Sequence, residues 1–256
     1  MRTSLRSAAV AATAVSLALL VTACGGGEKS DGEGKGTGKE TAPSASATSS
    51  APAAKALSAA ELEKLLVEQA DLPGHQVQKA KPADIVPADA ISTDKPSCKP
   101  LADAMSFVST GKPGATATRK AIELPKTEGA TASPEEVLGA LAAPVTSVTL
   151  GSYEGQGAQE ALASLKTAGT DCAGGFTLIG GGEKTKILKV APETLAAGEE
   201  SLAWTVTTDV DGEPFVTKLV VLRQGNTLAT FSTLSFGGTV KALPKTVVDA
   251  QVAKLG

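Results

Sequence analysis

The chain has 256 residues, and 24 basic side chains against 27 acidic ones leave a formal charge of −3 with a single histidine. A mildly acidic surface without a Lys/Arg cluster argues against nucleic acid as a partner and against electrostatic docking on anionic lipid. Apolar residues make up 42% and aromatics only 3%, so a core of ordinary size must be packed mainly from Val, Leu, Ile and Ala.

Arg2 and Arg6 precede an apolar run from Ala8 to Leu20 that is too short for a permanent membrane-spanning helix but fits the core of a signal peptide. The run ends in Val21-Thr22-Ala23-Cys24, small residues before a cysteine, and this resembles the lipobox of bacterial lipoproteins. Residues 1–23 are therefore expected to be removed. Cys24 would then carry a diacylglyceryl group, whose two acyl chains anchor the protein stably on the outer face of the cytoplasmic membrane. Arg2 and Arg6 are not adjacent, so a twin-arginine route is not indicated and export of an unfolded chain is expected. Their loss takes the formal charge from −3 to −5. No later stretch offers the ~18 consecutive apolar residues of a spanning helix, so the rest is expected to be soluble.

After Cys24, residues 25–56 are small, polar and charged, without one large apolar side chain. Such a segment cannot offset the entropy of ordering and reads as a disordered tether. Its root-mean-square reach is about 30 Å and its full extension about 100 Å. The folded part, residues 57–256, is expected to be one domain.

Ser58 and Glu61 have capping-box spacing, with Leu57 and Leu62 at the positions of a hydrophobic staple, and predict a helix from Ala59 to Ala70 that Pro73-Gly74 ends. Leu101, Met105 and Val108 recur at helical spacing over Lys99 to Val108. Ala115 to Leu124 reads as a strand, Ser133-Pro134-Glu135-Glu136 as the start of a short helix to Leu141, and Val145 to Leu150 as a strand. Ala158, Ala161, Leu162 and Leu165 give the next helix, Gly155 to Ala168, one apolar face. Short strands at Phe176–Ile179 and Thr185–Val190 flank Gly180-Gly181-Gly182. Leu202–Val210, Phe215–Leu222 and Thr227–Phe236, parted by Asp211-Gly212 and Gln224-Gly225-Asn226, predict a three-strand antiparallel meander. A helix from Leu243 to Leu255 closes the chain. Strands joined by tight turns and bracketed by helices predict an α+β domain, a twisted antiparallel sheet with helices mainly on one face.

With Cys24 set aside, Cys98 and Cys172 are the remaining cysteines, and in an oxidising compartment they are expected to form one disulfide. It would close a loop of about 75 residues, which the chain-entropy model values at about 4 to 5 kcal/mol, and would staple two helices. Two free thiols or a metal pair are the alternatives, and a two-ligand zinc site without a nearby histidine is incomplete.

Several short features in order resemble the PknH-like extracellular sensor domain family. They are Asp71-Leu72-Pro73-Gly74 after a helix, a cysteine before a short helix, Asp171-Cys172 after a longer one, and the Trp204 strand followed by Val221-Leu222-Arg223-Gln224-Gly225-Asn226-Thr227. The family occurs on actinobacterial receptor kinases and in stand-alone lipoproteins. The resemblance implies sensing or ligand binding without naming a ligand. The kinase domain has two disulfides where one is expected here, which sets the ligand site apart.

Catalytic patterns are few. His75 would have to serve any Ser-His-Asp or Cys-His arrangement, and a lone histidine after a Pro-Gly turn is more often a surface residue. Gly180-Gly181-Gly182-Glu183-Lys184-Thr185 lacks the spacing of a phosphate loop, and Asp209, Asp211 and Glu213 fit a hairpin turn better than a calcium loop. Gly151, Gly155 and Gly157 fit a strand-to-helix turn better than an anion site. No enzyme activity, cofactor or metal is expected. Tyr153 and Trp204, the single tyrosine and tryptophan, are the candidate ligand-binding residues, although core packing is the favoured role for Trp204 because Leu202, Trp204 and Val206 alternate on one strand face. The expected partners are the membrane, through the lipid, and a small-molecule, lipid or protein ligand at the cell surface. The leading expectation is thus a lipid-anchored, non-enzymatic, sensor-like domain. A carrier of hydrophobic molecules is the alternative, followed by a cell-wall hydrolase.

Overall fold

A computed structural model describes residues 55–124, 142–237 and 239–256. Cys24, the signal segment, most of the tether and the helix expected over 133–141 lie outside the described residues.

The described chain forms a nine-stranded sheet in which every neighbouring pair is antiparallel. In chain order the elements are α1 (Ala59–Leu65), β1 (His75–Lys79), β2 (Ile91–Thr93), α2 (Lys99–Met105), β3 (Ala115–Glu123), β4 (Val145–Ser152), α3 (Gly157–Asp171), β5 (Phe176–Gly180), β6 (Glu183–Glu193), β7 (Glu200–Val210), β8 (Glu213–Gln224), β9 (Thr227–Leu234) and α4 (Lys245–Leu255). The strand order is β1-β3-β4-β9-β8-β7-β6-β5-β2, so β5 to β9 are consecutive neighbours and α3 carries the chain from β4 across to β5. At the turn between β7 and β8, Asp211 and Gly212 both have positive φ, 54° and 86°. That is the paired left-handed conformation of a type I′ hairpin, which fits the right-handed twist of its strands.

The sheet buries both faces, which corrects the expectation of helices mainly on one side. On one face, Trp204, Val206, Leu219 and Val221 pack against α2 and α3 through Leu101, Leu162 and Leu165. On the other, Val148, Val220, Leu222 and Phe231 pack against Leu62 and Leu66 at α1 and against Val247 and Val248 of α4. The cause is the unbroken apolar run Leu219-Val220-Val221-Leu222. Successive strand residues point to opposite faces, so such a run demands cover on both. A bulge at Leu188 shifts the register of β6 against β7 and brings Ile187 and Val190 onto the same core.

Cys98, the residue before α2, and Cys172, the residue after α3, are joined in a disulfide with their Cα atoms 5.8 Å apart. The bond ties the two helices of one face end to end.

Two helices stop short of the expected bounds. The capping box at Ser58 and Glu61 is formed, but α1 ends at Leu65 rather than Ala70. There the fully buried Gln251 of α4 accepts from the Val67 N–H at 3.1 Å and donates to the Leu65 carbonyl at 2.7 Å. α2 ends at Met105, before Phe107 at φ 62°. The strands β1 and β2 were not expected at all. β1 is an edge strand, and the side-chain amide of Gln69 covers its free groups by donating to the His75 carbonyl and accepting from the Val77 N–H.

Candidate functional site

The strands β1, β3, β4 and β9 end together at one pole of the sheet. His75 opens β1, Glu123 closes β3, Thr146 lies near the start of β4 and Thr233 near the end of β9. Ser235 and residues 239–247 lie over these ends and border a cavity of about 380 Å³. Its floor is polar because Thr146 and Thr233 face each other across the β4–β9 pair, with their hydroxyls 2.9 Å apart and both side chains buried. One hydroxyl donates to the other, so one O–H of the pair keeps its hydrogen for a further acceptor.

The wall opposite the strands is the first turn of α4. Pro244 precedes it and no side chain caps it. The N–H groups of Thr246 and Val247 have no acceptor further back in the helix, and they carry the positive end of its dipole. Lys241 and Lys245 stand at the mouth, Lys245 paired with Asp249. His75 is half-buried, not on the open surface, and its Nδ1 is buried without a hydrogen-bond partner among the described residues. Burial pushes the imidazole pKa down, only partly opposed by the charge of Glu123. The ring is accordingly neutral near pH 7. Two exposed apolar side chains, Leu124 and Phe236, follow directly on the lining residues Glu123 and Ser235.

This arrangement presents hydrogen-bond donors and a neutral imidazole to a small polar ligand. No nucleophile is paired with His75, which makes no side-chain hydrogen bond to a hydroxyl among the described residues.

The residues singled out from the sequence lie elsewhere. Tyr153 is buried, its hydroxyl donating to the Thr110 carbonyl at 2.5 Å, and burial holds its pKa well above the usual phenol value. It lines none of the cavities described. Trp204 lies in the core beneath α3 and borders a separate cavity of about 360 Å³ on the opposite face of the sheet from the Thr146–Thr233 pair. Gly181 and Gly182 form the β5–β6 turn at positive φ, and Asp209 Oδ1 accepts from the Gly212 N–H at 2.9 Å, so both glycine and acidic motifs serve hairpins. No group of three His, Cys, Asp or Glu able to hold a metal ion occurs among the described residues, and none of their helices is long and apolar enough to cross a membrane.

Thr146, Thr233 and the uncapped start of α4 were not legible as a site. The one local signal is the absence of Ser, Thr, Asp or Asn immediately before Lys245.

No family model matches the chain, and no curated protein matches it. Among solved structures it is similar to the extracellular domain of PknH from Mycobacterium tuberculosis. The match has a TM-score of 0.48 and 11% identity, and covers 78% of this chain and 97% of that chain.

Proposed function

We propose that the protein is an exported, Cys24-lipidated, non-enzymatic binding protein whose domain takes a small polar ligand at the pole remote from the point where the tether enters. The observation that carries this is the polarity of β4. The chain enters the domain at one end of that strand, where the Leu57 N–H donates to Ser152 Oγ and Asn226 Nδ2 donates to the Lys55 carbonyl. The cavity lies at the other end, around Thr146. Six residues of strand separate the two, about 20 Å. A tether rooted at Ser152 and leading to a lipid at Cys24 would attach at the end remote from the cavity and leave the cavity mouth free of the anchor. The short motifs that resemble the sensor-domain family agree with this reading.

A carrier of long hydrophobic molecules is less well supported. Helices fill both faces of the sheet, and the cavities found there hold about 310 to 480 Å³ each. The mature protein, exported by a related bacterium and examined by non-denaturing mass spectrometry, tests the proposal. A bound species whose occupancy falls in the Thr146→Val/Thr233→Val double variant is expected, since valine keeps the shape and removes both hydroxyls. A bare mass, or a bound species indifferent to the two substitutions, would refute the assignment of the cavity.

A further inference from the structure

Trp204 occupies β7 on the face covered by α3. Its side chain is 4% exposed, and its indole N–H, unpaired among the described residues, is not among the fully buried polar atoms. The Nε1 edge lies against Gly169 in the last turns of α3, where an added methyl would come within 2.6 Å of Nε1. Glycine is a poor helix former, so its presence inside this helix is explained by the room it leaves for the indole.

The cavity bordered by Trp204, Gly169, Pro192 and Ala173 continues into a second hollow that runs back along α3 to Leu162 and Gln159. The two share Lys166, Ser201 and Leu202, and together they make a groove about 18 Å long, the rise of α3 from Gln159 to its end at Asp171. The charges along it are unequally matched. Glu193 is held by Lys218 and Thr205, and Glu200 lies 3.5 Å from the Arg223 guanidinium, which is shared with Glu199 at 2.5 Å. Lys166, exposed at the middle of the groove, forms none of the ion pairs found among the described residues.

A groove with an apolar floor, one unmatched ammonium and one unpaired indole N–H is complementary to an apolar molecule that carries a single negative group. We infer that the α3 groove binds a small acidic amphiphile. Its acidic group sits on Lys166, its apolar part lies against Leu202, Pro192 and Trp204, and the indole N–H donates to an acceptor on the ligand. This site is on the other face of the sheet from the Thr146–Thr233 cavity and stands apart from the function proposed for that cavity.

Trp204 is the one tryptophan of the chain, so its emission reports on this groove alone. The full mature protein would be titrated with decanoate below its micellar range, with methyl decanoate as the uncharged control. A saturable change in Trp204 emission is expected for decanoate. Lys166→Gln, a substitution on the exposed side of α3, should weaken it by about tenfold, the loss of one charge-assisted contact, and leave methyl decanoate unaffected. The Thr146→Val/Thr233→Val variant should bind decanoate as the wild type does. No saturable change, or equal decanoate affinity with and without Lys166, overturns the inference.

Discussion

Gln251 illustrates how much one side chain can hold. It has no exposure, and its amide completes the backbone of α1 at the point where the helix stops, through Val67 and Leu65. Gln251→Leu roughly keeps the volume but strands a buried N–H, at a cost of about 1 to 3 kcal/mol, and a half-buried carbonyl that costs less. Chemical denaturation should therefore show a lower midpoint with an unchanged slope, and an unchanged midpoint would mean the two backbone groups find other partners. His75 acts through pH instead. Its folded pKa lies below the ordinary value near 6.5, so the unfolded chain takes up a proton first as the pH falls. The stability His75 contributes is complete above about pH 6.5 and is lost as the pH drops from there toward the folded pKa. His75→Gln should flatten the stability profile in that window. An identical slope in both proteins would show that the ring is not buried from its proton.

At the scale of elements, the disulfide decides how α2 and α3 share one face. Cys98→Ser should lower stability by about 4 to 5 kcal/mol on the chain-entropy account and loosen both helix ends. A thermal midpoint within a degree or two of wild type would argue that packing alone fixes them. The longer elements were legible because their patterns are local. β3, β7, β8 and β9 are rich in β-branched residues and punctuated by Asp-Gly and Gly-Asn turns, and α3 has a single apolar stripe. β1 and β2 escaped because His-Gln-Val-Gln-Lys and Ile-Ser-Thr are short, polar edge segments whose strand state depends on β3 and β5 beside them. The premature end of α1 was equally hidden, since its cause lies 186 residues away at Gln251. The pole cavity was illegible for the same reason. Its walls come from β1, β3, β4, β9 and α4, and no single stretch of sequence records that they converge.

The described domain is organised between a root and a pole. Leu57, Ser152 and Asn226 pin the incoming chain at one end of the central strands, and Thr146, Thr233 and α4 close the other. Because β4 and β9 are buried along almost their whole length, the two ends are held at a fixed separation by the most stable part of the sheet. On the proposed reading, a tether of about 30 Å average reach would leave the lipid uncoupled from the cavity. Anchoring and binding should then be separable. Cys24→Ala removes the sulfur that the acyl groups need, and the protein should leave the membrane fraction or accumulate as unprocessed precursor, with no incorporation of labelled palmitate. The domain should keep its disulfide and its denaturation midpoint, because no described residue depends on the anchor for a contact. Membrane retention with undiminished labelling would refute lipidation at Cys24. A lowered midpoint in a protein that has lost its label would instead refute the independence of root and pole.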